Sequence, residues 1–253
     1  MITRSSGAVA ASLAGRRVLI TRAADDADAW ESRLREVGAV PVVLPCIRRE
    51  WMTDQATRLA LATALDGADW LVLASAAAAE ATALLLSGVL PKRTRIAVVG
   101  PTTARAAEIA LRAPNLVARK STSAALGHEL GRIIRNDSSG ERVVVVIAAA
   151  EGGRTDADEA LHAAGAEVRR VNVYRTVATP PVRTKHDLNA EGIDAVLLAS
   201  PSAVEGFMNQ VRLPVSAKVV TIGPTTTQAA TVAGLVVSAE ATEQSLDGML
   251  EVL

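Results

Sequence analysis

The chain repeats itself, and that repeat limits what it can fold into. Gly15-Arg-Arg-Val-Leu-Ile returns as Gly140-Glu-Arg-Val-Val-Val, an offset of 125 residues. Ala68-Asp-Trp-Leu-Val-Leu-Ala-Ser75 returns as Ile193-Asp-Ala-Val-Leu-Leu-Ala-Ser200, also 125 residues on. Ile96-Ala-Val-Val-Gly-Pro-Thr-Thr103 returns as Val219-Val-Thr-Ile-Gly-Pro-Thr-Thr226, 123 residues on, and Gly38 matches Gly165 more weakly at 127. Anchors kept in order at a nearly constant offset mark an internal duplication, so both copies are expected to adopt the same strand-and-helix pattern.

That pattern is α/β. Short, continuous apolar runs occur at Val18–Thr21, Val40–Leu44, Trp70–Leu73, Ile96–Val99, Val143–Ile147, Val168–Val173, Ala195–Leu198 and Val219–Ile222. Runs of this kind are what parallel strands need when helices cover both faces of their sheet. Between them lie Ala-rich segments with helical apolar spacing, such as Trp30, Leu34 and Val37. Strands alternating with helices imply parallel sheets flanked by helices on both sides. At 253 residues, 49% of them apolar, the chain has material for one large domain or two modest ones.

Several function classes are excluded or disfavoured. Basic and acidic residues balance at 27 each, and aromatics are 2%, so neither a broad basic face nor stacking platforms for nucleic acid are expected. Cys46 is the single cysteine, which rules out an intrachain disulfide and a cysteine-based zinc site. His128, His162 and His186 share no spacing suited to a metal, and no metal site is expected. No stretch approaches the ~20 apolar residues of a membrane span. Residues 1–14, with Arg4 and the mild run Ala8 to Leu13, read as a disordered leader rather than a signal peptide, so a cytoplasmic protein is expected.

The repeated motifs carry two readings each. Gly-Pro-Thr-Thr, at 100–103 and 223–226, follows a strand and opens a helix. Glycine suits the tight turn, and proline suits the first helical position. Thr102, Thr103, Thr226 and the free N–H groups there either cap the helix or hold an anion. Ser75 and Ser200 close their strands, where each caps the next helix or receives a carboxylate; Pro201 and Ser202 favour the helix start. No Gly-x-Ser-x-Gly elbow surrounds either serine, which argues against a hydrolytic nucleophile. Glu151-Gly-Gly-Arg154 lacks the glycine patterns of nucleotide loops and reads as a flexible loop with one cation for an anionic ligand. Arg22 ends the first strand at the corresponding place in copy one, as a solvated arginine or a second anion contact. Lys120-Ser-Thr-Ser123 and Ala241-Thr-Glu-Gln-Ser245 read as helix caps first. Tyr174, the single tyrosine, precedes Pro180-Pro181, either packed at a domain edge or directed into a cleft.

Together these segments resemble the uroporphyrinogen-III synthase family, from about residue 16 to the end. The resemblance rests on Val18-Leu-Ile-Thr-Arg22, Val98-Val-Gly-Pro-Thr-Thr-Ala104 and Gly165-Ala-Glu-Val168 leading to Val173-Tyr-Arg-Thr176, with Ala199-Ser-Pro-Ser-Ala-Val204 and Thr221-Ile-Gly-Pro-Thr-Thr226. It implies two similar lobes, each a parallel sheet flanked by helices, joined by a two-stranded linker. The implied boundaries are residues 1–45 plus 175–253 for a discontinuous lobe and 46–174 for a continuous one. The implied reaction cyclises hydroxymethylbilane with inversion of its last pyrrole ring, by a lyase acting as a monomer without a cofactor. By the resemblance Tyr174 assists departure of the hydroxyl group, Thr103, Ser200, Ser202 and Thr226 line the substrate site, and Ser75 and Thr102 are secondary contacts. Arg22 and Arg154 complete the expected substrate-binding set.

The chain departs from the family pattern at Ala149 and Ala150, where relatives carry Arg-Gly, and at Ala77, where asparagine is usual. Those departures motivate a second reading, an impaired tetrapyrrole- or anion-binding regulatory module of the same fold. A third, an exported two-lobed binding protein for sugars or amino acids, is disfavoured by the lack of a signal segment.

Overall fold

The computed structural model describes residues 13–136 and 142–253. Most of the expected leader, and Gly140 of the first repeat anchor, lie outside the described residues. The chain divides into two compact units, one ending at Arg49 and resuming from Thr176 to Leu253, the other Glu50–Arg175.

In the discontinuous unit five parallel strands form one sheet. They are β1 (Arg17–Ile20), β2 (Val40–Val43), β9 (Ala195–Leu198), β10 (Lys218–Thr221) and β11 (Val237–Glu240), in the order β11-β10-β9-β1-β2. Side chains alternate across it, as the period of a strand requires. Leu19 packs with Val196, Phe207 and Ala230 on one face, and Val18 and Ile20 pack with Leu34 and Met249 on the other.

The continuous unit contains β4 (Trp70–Leu73), β5 (Arg95–Val98), β6 (Leu116–Val117), β7 (Val144–Ala150) and β8 (Glu167–Ala178), with β3 (Ile47–Trp51) outside β8. The order is β3-β8-β7-β4-β5-β6, and the β8–β7, β7–β4, β4–β5 and β5–β6 pairs are parallel. Leu71 and Leu73 face a core shared with the helices Gln55–Leu65, Ala76–Leu86 and Pro101–Ala110. Trp70 and Val72 face a second core shared with Ser123–Arg135 and Asp156–His162. Both unit boundaries fall inside strands, within β3 and within β8.

The register corrects one part of the repeat. Val18 pairs with Ala195 while Val145 pairs with Trp70, and Arg17 pairs with Val40 while Val144 pairs with Glu167. The first strand and the one after it therefore repeat at 127 residues, not 125, in agreement with Gly38 and Gly165, both in the left-handed conformation (φ 81° and 87°). Arg22 then corresponds to Ala149 rather than to the Glu151–Arg154 loop.

Cys46 is buried, and desolvation pushes its thiol up to about 12. At neutral pH it is a small apolar group and not a nucleophile. Its carbonyl accepts the Thr179 N–H at 2.8 Å and lies directly against the helix Pro201–Gln210. A Cβ on Gly206 would sit 1.7 Å from that oxygen. Backbone cannot yield as a side chain can, so Gly206→Ala is expected to destabilise the protein by about 3 kcal/mol. A thermal or urea melt within experimental error of the parent protein would contradict this packing.

Candidate functional site

The expected residues fall on both units, and each set is described on its own. In the discontinuous unit, Ser200 caps the helix Pro201–Gln210, its Oγ accepting the Ala203 N–H at 3.1 Å. Proline at the first helical position adds no donor there, so the serine satisfies a first-turn N–H that would otherwise be open. Ser202 Oγ lies 3.0 Å from Ser200 Oγ. Both serines border a cavity of about 210 Å³ that Thr21, Arg22, Ile47 and Thr176 also line.

Arg22 gives this cavity its positive charge. Its guanidinium stacks over the Trp30 ring at 5.1 Å, and Nη2 stands 3.6 Å from Asp26. Its Nε is buried and has no hydrogen-bond partner among the described residues. Asp26 is shared with Arg49, which also binds Asp25 at 3.0 Å. The arginine is thus held by an aromatic face and one long ion pair, leaving donor capacity for an incoming anion.

The two Gly-Pro-Thr-Thr turns explain their glycines differently from the sequence expectation. Gly100 and Gly223 have φ of 176° and 171°, extended backbone that any residue adopts. What favours glycine there is space: a Cβ at Gly100 would lie 2.5 Å from Ser121 Oγ and force that side chain to move, while one at Gly223 would lie 3.2 Å from the end of the Gln244 side chain, which need give only a few tenths of an ångström. Of the paired threonines, Thr103 and Thr226 are 4% and 1% exposed, while Thr102 and Thr225 are exposed. Thr225 is absent from the expected set, although it stands 123 residues from Thr102 and could have been found by that offset.

In the continuous unit, Ser75 caps the helix Ala76–Leu86, accepting the Ala78 N–H at 3.0 Å. Its Oγ is also 3.1 Å from the Tyr174 hydroxyl. The Trp51 ring meets the Tyr174 ring edge-on, with centroids 6.0 Å apart at 69°. Trp51 is a neighbour that the sequence did not mark. Beside it Arg175 reaches Glu50 through Nε and Nη2, both at 3.3 Å, and this pairing raises the Arg175 pKa. Arg154 is exposed on its loop and donates to Asp156 at 2.6 Å, which raises the arginine pKa and lowers that of the aspartate. Thr122 and Ser245 both cap helices, accepting the Ala125 and Gly248 N–H groups.

Of the departures from the family pattern, Ala77 and Ala149 are buried, Ala149 in the core opposite Tyr174. Among the described residues no three His, Cys, Asp or Glu side chains are grouped to hold a metal ion. Among the same residues no helix is long and apolar enough to cross a membrane.

Strand order and duplicated strand-end turns define a two-unit α/β protein built from an internal repeat. The family model described as "Uroporphyrinogen-III synthase HemD" matches residues 28–251, and the chain belongs to that family. A uroporphyrinogen-III synthetase from Helicobacter pylori has a similar fold, with a TM-score of 0.51, 14% identity and coverage of 94% of this chain and 97% of that one. A mutant uroporphyrinogen III synthase from the extremely thermophilic bacterium Thermus thermophilus gives a TM-score of 0.49 at 18% identity, covering 94% of this chain and 96% of that one. No curated protein matches the chain.

The cap geometry at Ser200 makes a separable prediction. Ser200→Ala is expected to lower stability by about 1 kcal/mol and Ser200→Gly by only a few tenths. Equal losses in the two variants, measured by denaturant titration, would show that the hydroxyl is not acting as the cap.

Proposed function

We propose that this protein is a uroporphyrinogen-III synthase, a lyase that closes hydroxymethylbilane into uroporphyrinogen III with release of water. Membership of the family across residues 28–251 carries the reading. The substrate is a linear tetrapyrrole with eight carboxylates, so the binding problem is chiefly one of holding anions. Helix N-termini with hydroxyl side chains suit that task, because the helix dipole and open N–H groups favour negative charge. Ser200, Ser202 and Arg22 offer one such set, in the discontinuous unit. Thr226 and, in the continuous unit, Thr102, Thr103 and Arg154 offer others. The buried Thr103 and Thr226 contribute through the backbone of their helix starts more than through their hydroxyls.

Tyr174 supplies the proton that converts the departing hydroxyl into water. The C–O bond breaks, the pyrrole nitrogen lone pair stabilises the carbon left behind, and the far ring attacks that carbon to form a spiro intermediate. Fragmentation and reclosure invert the last ring, and the proton lost on rearomatisation restores the phenol. The substrate closes unaided to the unwanted isomer, so the protein's main contribution is to fix geometry. A monomer acting in the cytoplasm belongs to the same reading, checked by light scattering and by fractionation.

Supplied with freshly generated hydroxymethylbilane, the protein is expected to yield isomer III. Isomer I alone, formed at the rate seen without protein, would refute the assignment. Tyr174→Phe is expected to lower turnover by roughly a hundredfold, the usual scale for losing a general acid, with an unchanged circular dichroism spectrum. Parent-like turnover in that variant would remove Tyr174 from the chemistry.

A further inference from the structure

We infer that Ser75 is a positioning residue for Tyr174, holding the phenol oxygen as a hydrogen-bond acceptor so that the phenol proton points away, toward substrate. The inference rests on the proposed role of Tyr174 and gives Ser75 a task other than gripping a carboxylate.

Three features converge on the hydroxyl. The first is a β-bulge. Ala148 pairs with Val171 and Ala149 with Asn172, but Ala150 pairs with Tyr174, so Val173 is the extra residue. A shift of one residue moves a side chain to the other face of a sheet. Strict alternation would put Tyr174 on the face of Asn172. With the bulge it packs with Val171 and Val173 against the core that contains Leu73 and Ala78. The second feature is Trp51, whose edge-on contact fixes the tilt of the phenol ring.

The third is the hydrogen-bond arithmetic of Ser75. One Oγ lone pair is occupied by the Ala78 N–H at 3.0 Å, as the N-cap role requires. The second lone pair could still accept from the phenol, so the 3.1 Å contact with the Tyr174 oxygen allows either direction, and we assign to it the one hydrogen the serine has to give. Donating it leaves the phenol as an acceptor from serine and a donor elsewhere. It also stabilises the phenolate produced when the proton is transferred, a charge-assisted bond stronger than the neutral one it replaces. The cap and the phenol contact therefore share one atom. Because the cap holds Ser75 at the end of β4, the helix start itself orients the acid.

The test exploits the presence of one tyrosine in the chain. The intensity ratio of the tyrosine Fermi doublet in the Raman spectrum rises when a phenol oxygen accepts and falls when the phenol donates. Ser75→Gly, which retains most of the cap's stability, is expected to lower that ratio toward the value for solvated phenol and to reduce kcat about tenfold with KM little changed. Ser75→Thr restores both readings. In the Tyr174→Phe background, Ser75→Gly is expected to have no further effect on kcat. An unchanged or rising doublet ratio, a raised KM with kcat intact, or a further loss in the Tyr174→Phe background would each overturn the inference. Full turnover in Tyr174→Phe alone would sink the parent reading and this one with it, so the two failures are told apart.

Discussion

The fold depends on strand pairs that join one copy of the repeat to the other. In the discontinuous unit β1, from the first copy, lies beside β9, from the second; in the continuous unit β7, from the second copy, lies beside β4, from the first. Each junction is fastened by the same aspartate. Asp194 accepts the Arg17 N–H at 2.7 Å, and Asp69 accepts the Val144 N–H at 2.8 Å. The backbone bonds continue on either side, with the Asp194 N–H on Arg17 O and the Asp69 N–H on Val144 O, both at 2.9 Å. These bonds to a carboxylate fix register where the copies meet, and solvent at the exposed Asp194 bond and the part-buried Asp69 bond weakens them relative to buried ones. The five-strand sheet takes two strands from the first copy and three from the second, and the six-strand sheet takes four from the first and two from the second, so each sheet needs strands of both copies.

That exchange explains which parts of the fold were legible in the sequence. The eight apolar runs all became strands because each carries side chains into apolar cores. Three strands went unmarked, and all lie at sheet edges: β3, β6 and β11. Ile47-Arg-Arg-Glu-Trp51 is mostly charged, Leu116–Val117 is two residues long, and Val237-Ser-Ala-Glu240 buries no residue fully. An edge strand needs less apolar cover and gains from charge, so a continuous apolar run is the wrong signature for it. The two-residue error in the first anchor has a related origin. Matching Gly15 to Gly140 assumed equal loops before the strand, whereas hydrogen-bonded register fixed the true correspondence.

At the candidate site, chemistry was easier to read than direction. Ser75 and Ser200 act as caps, as their place between strand and helix suggested. The neighbouring Thr-Thr pairs identify helix starts equally well, but adjacent residues on a helix point about 100° apart. Composition cannot say which threonine of a pair faces inward, and Thr103 and Thr226 are the buried ones. Register also recasts Arg22. Its counterpart is Ala149, a buried alanine, so the repeat presents this arginine on one unit only. The candidate anion contacts of the two units are consequently unlike, despite their common origin.

Tyr174 shows why a period of two was insufficient. Val171 and Val173 mark the buried face of β8, and alternation from them puts position 174 on the opposite face. The bulge reverses that assignment within one residue, and no glycine or proline in Val171-Asn-Val-Tyr174 signals it. On one side Glu151 N–H bonds to Tyr174 O, and on the other Met52 N–H bonds to Val173 O, so the carbonyls beside the extra residue are held by two different segments. The backbone is thus anchored on both sides of the point where the phenol turns toward Ser75.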